Sequence, residues 1–266
     1  MAEVAPETRP VEPALAPGDV GVHHHQGRRI AIVPAFNEEG AIAGVIGEIR
    51  AFDPDFEIVV IDDGSADRTA GVARAAGAHV IRLPFNLGIG GAVQTGFRYA
   101  WERGFQIAVR VDGDGQHDPS QLGAILAPVL AGETDIAVGS RFVGERSYRS
   151  SRSRRLGIRI LAWTVSALVR QRITDPTSGF QALNRHGIAL FAADLPHDYP
   201  EVEATVMVFR HRLRMREVPV RMRERVAGRS SIGAFASVYY MAKVLLAIFV
   251  GVFRRNVVPL EDVVEP

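Results

Sequence analysis

The sequence predicts an α/β domain built on a mostly parallel sheet, and three observations carry that expectation. Short apolar runs that stop abruptly at polar loops recur at residues 29–34, 56–61 and 107–111. Stretches of helical spacing lie between them, up to Arg50, from about Ser65 to Ala76 and from about Ile89 to Arg103. Each of the three strands hands over to acids or their amides: Asn37-Glu38-Glu39, Asp62-Asp63 and Asp112-Gly113-Asp114. Strands alternating with helices at this spacing imply right-handed crossovers and helices on both faces. Ligands of such sheets gather at the carboxyl ends of the strands, where all these acids fall.

With 266 residues, 47% of them hydrophobic, the chain can bury a substantial core. There is no cysteine, which excludes a disulfide framework, a thiolate metal site and a cysteine nucleophile. The formal net charge of +1 gives no general basis for nucleic-acid binding. The charge is uneven, however: nine arginines and one acid, Glu145, lie between Arg141 and Arg172, a local preference for an anionic partner.

Taken in order, residues 1–27 are rich in Pro, Ala and Glu, carry His23-His24-His25 and lack the features of a signal peptide, so a flexible tail is expected. The first strand, 29–34, ends at a proline, and its loop Ala35-Phe36-Asn37-Glu38-Glu39 leads into a helix. The second ends in Asp62-Asp63-Gly64-Ser65, with Ser65 a candidate N-cap for the helix through Ala76. A strand follows near Ala78 to Arg82. Asn86-Leu87-Gly88-Ile89-Gly90-Gly91 then opens the next helix. It is not a dinucleotide fingerprint, which needs glycine where Val93 stands, nor a Walker loop, which needs Gly-Lys-Ser/Thr. A tight turn and a close approach to phosphate both fit it.

The run 107–111 ends at Asp112-Gly113-Asp114-Gly115-Gln116-His117-Asp118-Pro119. Two carboxylates at i and i+2 on a loop leaving a strand can turn toward one hard divalent cation that keeps positions open for phosphate oxygens. An EF-hand is excluded, because its sixth and twelfth positions would be His117 and Gly123. One acidic loop is explained by a turn or a helix cap. Three on one rim leave negative charge that a cation and polar donors must offset.

Pro34-Ala35-Phe36-Asn37-Glu38, Asp62-Asp63-Gly64-Ser65, Asn86-x-Gly88, Asp112-x-Asp114-x-Gln116 and Gly139-Ser140-Arg141 resemble, in order and spacing, the family 2 inverting glycosyltransferases of GT-A fold. The polyprenyl- and dolichyl-phosphate mannose and glucose synthases look nearest, over residues 29–232. The resemblance implies a nucleotide-diphospho-sugar transferase fold at 28–232 with a C-terminal apolar helix and tail at 233–266. It implies that Pro34, Ala35, Asn37 and Glu38 line a nucleotide pocket with Asp62 reading base or ribose, and it sets Asp63, Gly88 and Asp112 on the donor side. Asp112, Asp114 and Gln116 are expected to hold Mg2+ or Mn2+ on the diphosphate. Thr174-Asp175-Pro176-Thr177-Ser178-Gly179-Phe180 matches a motif whose aspartate sits near the transferred sugar. Arg225-x-x-Gly228-x-Ser230 matches a loop that closes over phosphates, where Ser231 replaces a frequent lysine and leaves Arg229 as the candidate cation.

An inverting transfer to a hydroxyl needs a general base, and no Gln-x-x-Arg-Trp signature of processive relatives is present. A phosphate monoester is already an anion near neutral pH, with a second pKa of about 6, and needs none. Arginine forks suit such an acceptor, which makes Arg141, Arg154, Arg155, Arg225 and Arg229 the acceptor-phosphate candidates and Asp112, Asp114, Asp175 and Arg225 the catalytic ones. Asp175 or Glu203 stays open as a base for a hydroxyl acceptor. Residues 156–163 put apolar positions beside basic ones at helical spacing, suited to anionic lipid or to a core helix with a solvated basic face. The stretch 232–253 is apolar but interrupted by Lys243, which in a membrane span costs about 2.5 kcal/mol or more. A packed or interfacial helix that aids self-association is therefore expected, in a cytoplasmic protein peripheral on the inner face of the membrane. Two rivals stay open: a sugar-phosphate nucleotidyltransferase, which would show a basic glycine-rich loop where Phe36-Asn37-Glu38-Glu39 stands, and a non-catalytic nucleotide-sugar-binding module.

Overall fold

A computed structural model describes residues 27–143, 152–196 and 200–223, with backbone alone at 152–156. The N-terminal tail 1–26, Arg225, Arg229 and the apolar stretch 233–266 lie outside the described residues, as do the side chains of Arg154 and Arg155. The described chain alternates as the sequence predicts: β1 (Arg29–Ala35), α1 (Ile42–Phe52), β2 (Glu57–Asp62), α2 (Thr69–Ala75), β3 (His79–Arg82), α3 (Gly88–Glu102) and β4 (Ile107–Arg110). The second half adds α4 (Leu122–Leu130), β5 (Ile136–Ser140), α5 (Arg152–Val169), β6 (Gln181–Asn184), α6 (Arg185–Ala193), α7 (Pro200–Arg210) and β7 (Met215–Pro219).

The seven strands run in the order β3-β2-β1-β4-β6-β5-β7. All pairings are parallel except those of β6, which runs antiparallel to β4 and β5. Because β1 and β2 are buried on both faces, their sequences read as unbroken apolar runs and not as alternation. One core lies on the α3 and α6 side, with Ile30, Ile32, Phe97 and Phe191. The other lies on the α1 and α4 side, with Val33, Ile46, Val109 and Ile125. The register sets Ala35 beside Asp62 and Asp62 beside Arg82, so the β1 and β2 loops leave at one level.

Ser65 does not cap α2. Its hydroxyl accepts the Asn37 N–H at 2.9 Å, while Asp67, nearer the helix start, accepts the Thr69 N–H at 2.9 Å. The residue next to the first helical one is Arg68, which offers no side-chain cap, and Asp67 before it holds the first helical N–H instead.

The three strands on the far side of the sheet are fastened by one carboxylate. Asp135 accepts from the N–H of Arg214 at 2.8 Å, from its guanidinium Nη2 at 2.9 Å and from the Asn184 amide at 2.8 Å, which joins the starts of β5 and β7 to the end of β6. Burial opposes its charge, but the Arg214 fork and N–H outweigh it and hold the carboxyl at about 2. A folded pKa below the ordinary value contributes stability that is complete above about pH 4 and lost as pH falls toward 2. Asp135→Asn is therefore expected to lose about 2 kcal/mol at pH 7 and about half of that at pH 3. Urea unfolding at the two pH values reads the difference.

Candidate active site

Four loops and the start of β6 meet at the carboxyl edge, and the hydrogen bonds show which side chains serve the edge and which serve the loops. The β1 loop is stitched to the β2 loop. Asn37, in the left-handed region at φ 57°, donates its N–H to Ser65 and accepts the Ala66 N–H on Oδ1 at 2.9 Å, and the Glu38 N–H reaches the Thr69 hydroxyl at 2.8 Å. Pro34, Ala35 and Glu38 are buried at the edge, whereas Asn37 is exposed. Gly64 lies at φ 72° with the backbone of Phe85 and Asn86 less than 3 Å from where a Cβ would stand, so only glycine lets the β2 loop pass the turn before α3.

Asp62 and Asp63 hold this frame together. Asp62 is fully buried, accepts the Ser65 N–H at 3.0 Å and lies 3.3 Å from the Arg82 guanidinium. Asp63 accepts the Leu87 N–H at 2.7 Å, and Asn86 in turn accepts the N–H of Gly88, whose φ is 81°. Burial pushes the Asp63 carboxyl up although the Leu87 N–H works the other way. The two acids expected on the donor side thus spend oxygens on turns, which the sequence could not distinguish from ligand contacts.

The loop after β4 is pinned to β1 by the Val111 N–H on the Ile32 carbonyl and the Gly113 N–H on that of Pro34. Asp112, with 29% of its side chain exposed, is the more open acid, compared with 1% for Asp62. Asp114 and Gln116 are half-buried beside it, and an Asp114 oxygen accepts the Gln116 N–H at 3.0 Å. His117 accepts the Asp112 N–H on Nδ1 at 3.0 Å, which places its proton on Nε2, 3.6 Å from the Asp112 carboxylate. Burial pushes this imidazole below its usual value in spite of Asp112. Its ring stacks on Phe180 at 4.8 Å. Among the described residues no three His, Asp or Glu side chains converge to hold a metal alone. Two neighbouring carboxylates and an amide, all oxygen donors and partly open, nevertheless suit a hard cation whose other positions go to phosphate oxygens and water.

Across the edge, Arg141 at the end of β5 is buried, and its fork closes on Asp175 with two contacts of 2.7 Å, while its N–H meets the same carboxylate at 3.1 Å. The fork expected to face an acceptor phosphate is engaged by Asp175, and Asp175, expected beside the sugar, is itself 1% exposed. Glu217 on β7 receives the N–H groups of Thr174 and Asp175 at 2.9 and 2.7 Å, and burial pushes its carboxyl up against them. Arg110, Glu201 and Glu217 carry no role in the sequence reading. An arginine inside the apolar run 107–111 was the one visible signal, because a buried guanidinium requires carboxylate partners.

A mostly parallel sheet with helices on both faces and acid-bearing loops gathered at the β1/β4 reversal of strand order has the GT-A architecture. The chain belongs to glycosyl transferase family 2, whose model matches residues 30–189. It is 32% identical to the polyprenol monophosphomannose synthase of Mycolicibacterium smegmatis over 77% of this chain and 81% of that one. It is also 32% identical to the undecaprenyl-phosphate mannosyltransferase of Micrococcus luteus, over 77% and 87%. Glucosyl-3-phosphoglycerate synthase of Mycobacterium tuberculosis, solved with Mn2+, UDP and glucosyl-3-phosphoglycerate, superposes with a TM-score of 0.62 over 84% of this chain and 79% of that one, and at 23% identity it shows the shared fold.

Proposed function

We propose that this chain transfers a sugar, with inversion, from a nucleoside-diphosphate sugar to a polyprenyl phosphate at a membrane surface. The observation that carries it is the neighbouring, partly open carboxylate pair Asp112 and Asp114 at the sheet's switch point. The acceptor class is supported by the polyprenyl-phosphate relatives. Mg2+ or Mn2+ held by Asp112 and Asp114, with Gln116 beside them, would supply Lewis-acid neutralisation of the leaving diphosphate. Pro34, Ala35, Asn37, Glu38 and Gly88 border the donor pocket, and Asp62 and Asp63 hold its walls. Nucleophilic attack comes from an acceptor phosphate oxygen on the anomeric carbon as the bond to the nucleoside diphosphate breaks and its oxygen keeps the electron pair. No base is required, in keeping with an Asp175 whose two oxygens are held by Arg141.

Membrane contact is supported by α5, which buries Ile158, Leu161 and Val165 and exposes Ile160, Leu168 and Trp163, the last at 74%, beside exposed Arg159, Arg170 and Arg172. Apolar side chains flanked by arginines suit the headgroup boundary of an anionic leaflet. Among the described residues no helix is long and apolar enough to cross a membrane. Arg154 and Arg155 open this helix, and with Arg225 and Arg229 they complete the proposed acceptor-phosphate set.

Purified protein given radiolabelled GDP-mannose, UDP-glucose or UDP-N-acetylglucosamine with Mn2+ and undecaprenyl phosphate is expected to form a lipid-extractable product from one donor, released by mild acid. Transfer to a hydroxyl acceptor, giving an acid-stable product, would replace the polyprenyl-phosphate reading. Absence of turnover with all three donors on either acceptor would sink it.

A further inference from the structure

The most deeply buried cation of the described core is Arg110, and its guanidinium joins two elements that the sequence separates by about ninety residues. The Arg110 side chain is 3% exposed on β4, between β1 and β6 in the middle of the sheet. Its Nε donates to Asp112 at 3.1 Å and its Nη2 lies 2.9 Å from Glu201, in the first turn of α7. Burial works against the charge, but Asp112 and Glu201 together outweigh it. The guanidinium also lies flush against Gly179, where an added Cβ would stand 2.6 Å from Nη2. A side chain there would push the fork off its two partners. Oδ1 of Asp112 is thereby held by Arg110, Oδ2 is directed toward His117, and the backbone N–H is fixed by the same imidazole.

We infer that Arg110 is a positioning residue: anchored by Glu201 and packed over Gly179, it fixes the carboxylate of Asp112 in the orientation that receives a divalent cation. The inference rests on the proposed reading of Asp112 and Asp114 as the cation's ligands. Arginine suits the place because two nitrogens of one planar fork, Nε and Nη2, reach carboxylates on separate elements, where lysine offers a single nitrogen. The role is distinguishable from plain electrostatics by its sign. A positive charge beside a cation site repels the cation, so its simple removal should tighten binding. Loss of an orienting partner weakens metal affinity, by about 10- to 100-fold where such partners have been removed from other sites.

The test is Mn2+ titration of the full chain in the presence of UDP, followed by the EPR signal of free Mn2+, with thermal unfolding without metal as the control on folding. Arg110→Lys, which keeps the charge, and Arg110→Met, which removes it, are both expected to weaken Mn2+ by about tenfold or more. Glu201→Gln leaves Arg110 with Asp112 as its remaining carboxylate, and is expected to weaken Mn2+ severalfold and to lower the unfolding temperature, since one of the two counterions to a buried guanidinium is lost. Should the Arg110 variants fail to fold, Glu201→Asp, which keeps the charge and draws the carboxylate back from Arg110, decides in their place, weaker Mn2+ supporting the positioning role and unchanged affinity overturning it. Unchanged affinity in Arg110→Lys or Glu201→Gln, or tighter binding in Arg110→Met, overturns the positioning role. If the unsubstituted chain binds Mn2+ no better than Asp114→Asn, the reading of the acid pair fails and the inference goes with it. That outcome differs from one in which Asp114→Asn loses Mn2+ while the Arg110 and Glu201 variants keep it.

Discussion

Asp114→Asn is expected to lower sugar transfer by about a thousandfold, equivalent to about 4 kcal/mol of transition-state stabilisation, and to leave the fold nearly untouched. The asparagine keeps the shape and keeps an oxygen to accept the Gln116 N–H. What is lost is half of the anionic pair proposed to hold the cation against the diphosphate, and the negative charge that develops on the leaving group is then poorly met. Asp112→Asn should behave differently. Its carboxylate is one of two counterions to buried Arg110, so activity falls together with stability, by about 2 kcal/mol or more. Transfer assays paired with urea unfolding separate the two variants. Equal turnover in Asp114→Asn and the unsubstituted chain would remove the acid pair from the chemistry.

That contrast shows where the sequence was legible. The strands β1, β2 and β4 could be read because parallel strands buried on both faces are written as unbroken apolar runs that stop at their polar loops. The convergence of the acidic loops followed from topology alone, since parallel strands send their carboxyl ends to one edge. The antiparallel β6, Gln181–Asn184, has polar residues at both ends and only Ala182-Leu183 between them, so no apolar run marks it. Nothing local distinguishes Asp63 from Asp112, although one serves the Leu87 N–H and the other lies partly open. An Asp side chain is a turn maker or a ligand according to which backbone N–H groups approach it, and those come from residues far away in the chain. For the same reason Ser65 read as a cap: its tie to Asn37 spans two loops and leaves no trace near the start of α2.

The other large effect expected is on stability, from Arg141→Met. Asp175 is 1% exposed and would lose all of the guanidinium contacts that balance its charge, with Glu217, also largely buried, close to it through the Thr174 and Asp175 N–H groups. Removing one partner of a buried pair costs about 3–5 kcal/mol, because the remaining charge is stranded. The deficit of Arg141→Met is read by urea unfolding at pH 7. Adding Asp175→Asn removes the stranded charge and should recover much of the stability. Transfer to polyprenyl phosphate should stay low in that double variant if the Arg141 fork also meets the acceptor phosphate. Recovery of stability and turnover together would make Arg141 and Asp175 a purely structural clasp and move acceptor binding to the arginines that open α5.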